Sequence, residues 1–228
     1  LRLAGLPRSP RELDLGLRLW AAHRRLGWFA SGAGGARSAS GEPLPWWTYG
    51  ALLWLDGHLA AAPRPGAACL ELGAGSSTLW LARRFERVVS LEHDERWVRR
   101  LSARVPANVE LRLVDAADEA GYLAAFDERA GGWDLVVIDG LHRTAALARA
   151  VEGLAGDGLV LLDDSDRPQY AEAIRAVHRR GLSRIDFHGF APAVAHLRCT
   201  SIFGPPGLAT RAEAPAWFGH SLRSYRDL

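Results

Sequence analysis

Residues 67–77 read AACLELGAGSS, and this stretch decides the fold. A short apolar run ends at Glu71, a turn follows through Gly73 and Gly75, and two serines at 76–77 open the next segment. Glycines after a buried strand let the backbone lie close to a ligand, and the helix that follows points its N-terminus at that ligand. The stretch therefore predicts a strand, a ligand-binding turn and a helix.

A second strand-like run ends in another acid. Residues 87–91 are mostly apolar, and Glu92 comes nineteen residues after Gly73. On doubly wound sheets that bind nucleosides, an acid at about this distance accepts hydrogen bonds from the ribose hydroxyls. The turn and this acid together predict a site for a nucleoside cofactor.

The residues around the turn indicate which cofactor it is. A dinucleotide fingerprint needs a small residue three positions after the second glycine, where this chain has Thr78 followed by Leu79 and Trp80. The Glu71 carboxylate would also repel a diphosphate and attract a cation. These features favour a cationic nucleoside, while an NAD-dependent oxidoreductase on the same sheet stays open as an alternative.

The composition is that of a globular protein without a polyanionic partner. Of the 228 residues, 48% are hydrophobic and 24% are charged, with a formal net charge of +2. This length fits one domain with an N-terminal extension. The balanced charge predicts no nucleic-acid partner and no membrane partner. All 28 basic residues are arginine, which excludes a Schiff-base lysine and a Walker-type lysine.

The cysteines and the apolar runs indicate the compartment. Cys69 and Cys199 both fall in predicted strands, outside any CxxC or Cys/His spacing, so we expect buried thiols rather than zinc ligands. No run has the pattern of a signal peptide or the length of a membrane span. A cytoplasmic protein is expected.

Strands and helices alternate from Ala67 onward, which predicts an α/β fold with a Rossmann-like, doubly wound, seven-stranded sheet. The predicted strands are 67–72, 87–92, 109–114, 133–138, 158–163, 184–190 and 195–203. The predicted helices are 10–27, 48–62, 76–84, 94–104, 118–129, 143–155 and 168–180.

The chain divides into three predicted parts. Residues 1–62 hold N-terminal helices and a lid segment, of which 31–45 is a Gly/Ala/Ser/Pro-rich flexible connector. Residues 63–205 form the Rossmann domain, and the tail at 206–228 packs on its surface.

Polar residues follow several predicted strands at the point where each strand ends. Because ligands bind at the carboxyl ends of parallel strands, these residues are expected to form one site. They are Glu71–Gly75, Glu92–His93, Asp115–Ala116, Asp139–His142 and Asp163–Asp164.

The E-x-G-x-G pattern with a downstream acid resembles motif I of the class I S-adenosylmethionine-dependent methyltransferases. The similarity continues in further segments and covers roughly residues 43–205. These segments are PWWTY (45–49), VIDG (137–140), DDSDRPQY (163–170) and CTSIF (199–203), which resemble a methyltransferase-like subgroup. The resemblance implies that the last strand inserts antiparallel between the fifth and sixth, and that S-adenosyl-L-methionine is the cofactor.

The resemblance also assigns cofactor-binding roles. Gly73 and Gly75 would approach the methionyl part of the cofactor, and Glu92 would bind its ribose. Glu71 with Ser76 and Ser77 would hold its ammonium and carboxylate groups. The remaining residues of the predicted cofactor set are His93, Asp115 and Ala116 beside adenine, Asp139, and Thr48 over the cleft.

An alternative for Thr48 is that it caps a helix, with Trp47 and Tyr49 as core contacts.

Methyl transfer to a hydroxyl needs a base that removes the proton. His142 follows Asp139 by three residues, and histidine is the side chain best suited to this task near neutral pH. The predicted catalytic residues are therefore His142 as base, with Asp139 and Asp164 orienting the acceptor. A surface histidine at a helix start is the alternative.

Asp139, Asp163 and Asp164 also suggest a metal site. Carboxylates at adjacent strand ends repel one another unless a positive charge compensates them. A divalent cation such as magnesium would do so, as in the metal-dependent small-molecule O-methyltransferases that the chain partly resembles. Neutralisation by Arg143 or Arg167 is the alternative.

The predicted function is therefore S-adenosylmethionine-dependent methylation of a small-molecule acceptor, with oxygen as the acceptor atom. The alternatives are the NAD-dependent oxidoreductase and a catalytically idle methyltransferase-like binding module. Aromatic residues near both ends of the chain leave open an acceptor pocket, core contacts or a homodimer interface.

Overall fold

The fold is seen in a computed structural model that describes residues 9–27, 35–192, 194 and 196–208. The strands are β1 (Ala36–Arg37), β2 (Pro43–Leu44), β3 (Ala68–Leu72), β4 (Arg87–Glu92), β5 (Val109–Leu113), β6 (Trp133–Ile138), β7 (Leu154–Asp163), β8 (Ser183–Gly189) and β9 (Arg198–Gly204). The helices are α1 (Pro10–Arg25), α2 (Tyr49–Ala61), α3 (Ser76–Leu81), α4 (Glu95–Ser102), α5 (Glu119–Ala124), α6 (Arg143–Gly153) and α7 (Ala171–Arg179).

Within the described residues, seven strands form one sheet in the order β5-β4-β3-β6-β7-β9-β8. The strands from β3 to β7 pair in parallel, whereas β9 runs antiparallel to both β7 and β8. This confirms the Rossmann-like α/β fold and the inserted antiparallel last strand. The parallel strands end at one edge of the sheet, where the polar residues collect.

The central strands are mostly apolar because both faces of the sheet are covered. Every residue of β3 is buried. Its side chains alternate between the faces, so Leu70 and Leu72 pack with Leu147 and Ile174 of α6 and α7. On the other face, Cys69 packs in a cluster that also holds residues of α2 and α3. Both cysteines are free and buried, as predicted.

Some predicted bounds differ from the structure for local reasons. The helix predicted at 118–129 is α5 followed by a 3₁₀ turn at Ala125–Glu128, and α7 is preceded by a 3₁₀ turn at Pro168–Tyr170. The strand predicted from 158 begins at Leu154, because β7 pairs with β6 across a register shift near Trp133.

The connector predicted to be flexible contains a small hairpin. β1 and β2 pair antiparallel, the Ser38 N–H donates to the Glu42 carbonyl at 2.8 Å, and Arg37 Nη1 donates to the Gly41 carbonyl at 2.8 Å. These bonds hold residues 36–44 in place. The predicted connector residues 31–34 and most of the predicted tail, at 209–228, lie outside the described residues.

None of the helices in the described ranges has the length and apolar character needed to cross a membrane.

Candidate active site

A cavity of about 330 Å³ lies at the carboxyl ends of β3, β4 and β6. It is lined by residues 73–77 after β3, by 92–94 after β4, by Asp139 and Gly140 after β6, and by Gly35, Trp46 and Trp97. A volume of this size is typical of small-molecule sites. The structure thus brings together Gly73, Gly75, Ser76, Ser77, Glu92, His93 and Asp139 from the predicted set.

The glycine turn is required by a close contact between two strand ends. Gly73 has φ +95°, and a Cβ on it would lie 2.7 Å from the Gly140 nitrogen. A Cβ on Gly140 would lie equally close, 2.7 Å, to the Gly73 nitrogen. Gly75 differs, because its backbone is extended and the nearest atom to an added Cβ is 3.8 Å away. Gly75 therefore keeps the cavity wall open rather than permitting a strained turn.

Glu71 lies behind the turn and does not line the cavity, contrary to the predicted contact with the cofactor ammonium. Its side chain is fully buried, and its Oε2 accepts hydrogen bonds from the Thr78 hydroxyl at 2.6 Å and the Ser90 hydroxyl at 2.5 Å. Burial raises the pKa of Glu71 to about 7. Because side chains alternate along the strand, Glu71 points away from the cavity. On that face it supports the glycine turn through its hydrogen bond with Thr78.

Glu92 is one of the acids that line the cavity. Its Oε2 accepts the Ala74 N–H at 3.0 Å, and its Oε1 accepts the backbone N–H groups of His93 at 2.8 Å and Asp94 at 2.9 Å. These bonds fix the carboxylate between the ends of β3 and β4. Oε2 has one protein donor and therefore keeps acceptor capacity for a ligand hydroxyl.

Trp97 and Trp46 are wall residues that the sequence-based site did not include. Trp97 Nε1 donates to the Ala74 carbonyl at 2.6 Å, so α4 is fastened to the glycine turn. The sequence feature that could have identified Trp97 is the start of α4. Asp94 caps this helix and accepts the Trp97 N–H three residues later. Trp46 reaches the cavity from the segment before α2.

Thr48 and Trp47 are fully buried beside β9 and α3 and do not line the cavity. The Thr48 N–H donates to Thr200 Oγ1 at 3.0 Å, and Trp47 packs edge-on against Trp80. Thr48 therefore does not line the cavity in the structure, whereas Trp46 does, and Trp47 makes the core contacts of the alternative.

Asp115 and Ala116 lie beside the cavity rather than in it. Asp115 is exposed and its Oδ1 accepts the Ala117 N–H at 2.8 Å, which closes a local turn after β5. Asp115 therefore stabilises its own loop. Neither Asp115 nor Ala116 lines the cavity, where the predicted contact with adenine would require them.

His142 does not fit the predicted role of base. Its backbone is left-handed (φ 53°), and its ring lies between the Ala116 carbonyl, 2.9 Å from Nε2, and Glu119 Oε2, 3.2 Å from Nδ1. Both ring nitrogens therefore already face protein oxygen atoms. His142 does not line the cavity. The ring joins the loop after β5 to the start of α6.

Asp139 is the acid that lines the cavity on the side opposite Glu92's strand. Burial, together with the nearby Asp163 carboxylate, raises the pKa of Asp139 to about 8, against the opposing charge of Arg143. Arg143 Nη2 donates to Asp139 Oδ1 at 3.1 Å. A carboxyl group with a pKa near neutrality, at the cavity wall, can accept a proton from a bound ligand.

Asp163 and Asp164 are compensated by arginines and not arranged for a metal. Arg198 Nη2 lies 2.6 Å from Asp163 Oδ2 and 2.5 Å from Asp164 Oδ1, and Arg167 also donates to Asp164. In the part of the chain that the structure describes, no group of three His, Cys, Asp or Glu residues could hold a metal ion. The predicted site of Asp139, Asp163 and Asp164 therefore does not fit a divalent cation, because guanidinium groups hold its oxygens.

The residues that form this site fall largely within a match to a known protein family. A family described as "Methyltransferase domain" matches residues 70–165. This stretch contains the glycine turn, Glu92, Asp139 and the acid pair after β7. Residues 70–165 are therefore similar to a methyltransferase domain.

Solved methyltransferase structures have the same fold. An O-methyltransferase from Bacillus cereus, in complex with SAH, is 19% identical, with a TM-score of 0.53, covering 89% of this chain and 93% of that one. The O-methyltransferase TomG from Streptomyces achromogenes, in complex with SAM, is 18% identical with a TM-score of 0.53, covering 89% of this chain and all of that one (100%).

A spermidine synthase from Thermotoga maritima also has this fold, at 14% identity and a TM-score of 0.51, covering 71% of this chain and 59% of that one. No curated protein sequence matches the chain. The fold of this chain is thus shared by enzymes with different titles, and the fold alone does not identify a substrate.

Two features of the site lie outside the matched residues. Trp46 precedes the match and Arg198 follows it. The matched residues therefore include most of the cavity wall, while Trp46 adds to that wall and Arg198 contacts Asp163 and Asp164.

Proposed function

We propose that this protein is an S-adenosylmethionine-dependent methyltransferase that methylates a small molecule at an oxygen atom. The observation that carries the proposal is the cavity between the glycine turn and Glu92, with Asp139 at its wall. Two solved structures with the same fold, whose titles name bound SAH and SAM, are O-methyltransferases.

The cofactor-binding residues follow from the cavity wall. Gly73 and Gly75 let the methionyl part lie against the backbone, with Ser76 and Ser77 as hydroxyl donors at the start of α3. Glu92 accepts a ribose hydroxyl through Oε2. The indole of Trp97, fixed at Ala74, offers an apolar wall, and Trp46 closes the cavity from the other side.

The bound cofactor supplies an activated methyl group on a sulfonium. What the protein adds is alignment and proton removal. Asp139 lies at the cavity wall after β6, and its raised pKa suits it to accept a hydroxyl proton. Asp139 thus replaces His142 as the proposed base. Because the sulfonium is cationic, the carboxylate of Glu92 also favours its binding over that of a diphosphate.

The substrate class follows from size and charge. The cavity is about 330 Å³, and the net charge of +2 provides no strong attraction for a polyanion. A small uncharged acceptor with a hydroxyl group fits both features.

Calorimetry with S-adenosylhomocysteine and with NAD tests the proposal. We expect micromolar binding of S-adenosylhomocysteine and no binding of NAD. Glu92→Gln should weaken the first by at least tenfold, roughly the 1.5 kcal/mol that a hydrogen bond to a charged group contributes. Glu172→Gln, which alters an exposed ion pair on α7, is the matched control. Binding of NAD, or of neither ligand, would overturn the assignment.

The acceptor atom is tested separately. We expect release of S-adenosylhomocysteine with small hydroxyl compounds and not with the amines of the same carbon skeleton. Turnover of the amines alone would contradict O-methylation while leaving cofactor binding intact.

A further inference from the structure

Three carboxylates and two guanidinium groups meet at the ends of β6, β7 and the start of β9. We call them the strand-end cluster, which consists of Asp139, Asp163, Asp164, Arg143 and Arg198. Like charges this close need compensation, and an ion with oxygen ligands is one way to provide it. In this chain the compensation comes from its own side chains.

Arg198 lies between the two acids that follow β7. Besides its Nη2 contacts to both carboxylates, its Nε donates to Asp164 Oδ1 at 2.8 Å, and the side chain is 16% exposed. The second oxygen of Asp163 accepts the Thr200 hydroxyl at 2.6 Å. Arg143 lies 3.6 Å from Asp164 Oδ2, to which Arg167 also donates. Every carboxylate oxygen of the pair therefore faces a donor.

Arg143 fixes the same cluster from the other side. Its Nη1 donates to the Asp163 carbonyl at 2.6 Å, its Nη2 to the Asp139 carbonyl at 2.7 Å, and its Nε to the Gly140 carbonyl at 2.9 Å. These three bonds tie the end of β6 to the end of β7. A hydrated divalent cation placed here would meet two fixed positive charges.

The cluster also reaches the segment that carries Trp46. Thr200 donates to Asp163 and accepts the Thr48 N–H at 3.0 Å, two residues after Trp46. Thr200 thereby connects Asp163 to the segment before α2 that contributes Trp46 to the cavity wall.

We propose that Arg198 takes the place of a divalent cation in this active site. It is a positioning residue that neutralises Asp163 and Asp164 and holds β9 against β7. The protein therefore works without a metal at these acids, and acceptor deprotonation falls to Asp139. The inference rests on the proposed function, because that function makes this cavity an active site. Ion binding can nevertheless be measured without cofactor or acceptor.

Truncation of Arg198 should create the ion site that the guanidinium now occupies. The probe is Mn²⁺, followed by the electron paramagnetic resonance signal of the free ion. We expect no loss of that signal with wild type and a clear loss with Arg198→Ala. Arg180→Ala is the charge-matched control, because it removes an arginine paired with Glu152 on the surface and should behave as wild type.

Thermal unfolding gives a second readout. Arg198→Ala leaves buried carboxylates unpaired and should melt at a lower temperature than wild type. Mn²⁺ at ten times its dissociation constant should raise that melting temperature by roughly 3 to 6 °C, and leave wild type and Arg180→Ala unchanged.

Two results would overturn the inference. One is Mn²⁺ binding by wild type that Asp163→Asn abolishes, and the other is folded Arg198→Ala that binds Mn²⁺ no better than Arg180→Ala. If Arg198→Ala does not fold, the decision passes to Arg198→Lys, which keeps the charge and should fold without gaining Mn²⁺ binding. Absence of Mn²⁺ binding by both wild type and Arg198→Lys supports the inference, and Mn²⁺ binding by Arg198→Lys contradicts it. Failure of S-adenosylhomocysteine binding would refute the proposed function and leave these measurements unaffected.

Discussion

Thr78 joins the carboxylate of Glu71 to the glycine turn. Its hydroxyl donates to Glu71 Oε2 at 2.6 Å and accepts the Gly75 N–H at 2.8 Å. Both side chains are fully buried. The residue that makes this turn too bulky for a dinucleotide fingerprint is therefore the one that secures its shape.

Thr78→Val should loosen the turn, because valine keeps the volume but leaves the Gly75 N–H and a Glu71 oxygen without this partner. We expect a loss of roughly 1–3 kcal/mol in the free energy of unfolding. Affinity for S-adenosylhomocysteine should fall as well, by calorimetry. Thr144→Val, at an exposed position of α6, is the control and should change neither quantity. Equal behaviour of the two variants would contradict the role of the hydroxyl.

Glu71→Gln should change how stability depends on pH. The folded-state pKa of Glu71 is about 7, above its ordinary value of 4.5, so the folded protein holds a proton that the unfolded chain has lost between these values. Stability from this group is complete below pH 4.5 and is lost as pH rises to about 7, with a slope of about 1.4 kcal/mol per pH unit.

Glutamine carries no titrating proton, so this slope should be missing from the variant. Urea unfolding at several pH values between 4.5 and 7 measures the difference in the free energy of unfolding between wild type and Glu71→Gln. The contributions of the other acids are the same in both proteins and cancel in this difference. Parallel curves would show that the Glu71 carboxyl does not titrate in this range. Glu172→Gln, at an exposed acid, should follow wild type.

Gly73→Ala and Gly75→Ala should separate folding from cofactor binding. Alanine at 73 requires φ +95° and places a Cβ 2.7 Å from the Gly140 nitrogen, so we expect destabilisation by more than about 2 kcal/mol. Alanine at 75 meets no atom closer than 3.8 Å and should fold normally, yet its methyl group narrows the cavity and should weaken S-adenosylhomocysteine binding. Equal melting temperatures for the two variants would refute this distinction.

Asp139→Asn should remove the proposed base while keeping the shape of the cavity. We expect turnover to fall by about 10²- to 10⁴-fold, with a much smaller effect on S-adenosylhomocysteine affinity. In wild type the rate should rise as pH increases through about 8, because the carboxylate is the active form. The comparison variant is His142→Gln, which should keep most of the turnover. A greater loss with His142→Gln than with Asp139→Asn would restore the histidine as base.

The fold could be predicted because its physical signal is local. A parallel strand covered on both faces needs apolar residues at nearly every position, and ligand binding at one edge needs polar residues where the strands end. The runs ending at Glu71, Glu92 and Asp139 satisfy both conditions. All seven predicted strands are therefore present, with their ends displaced where register shifts and turns intervene.

What the sequence determined by itself is the sheet, the glycine turn, and Glu92 and Asp139 as polar residues at its edge. Which of the other polar residues reach the cavity was decided by the tertiary structure. Alternation along β3 puts Glu71 behind the turn, and a left-handed backbone directs His142 to Ala116. Arg198 comes thirty-five positions after Asp163, on the antiparallel strand. A contact over that distance depends on strand order and not on local spacing, so only the assembled sheet shows that an arginine neutralises the paired acids.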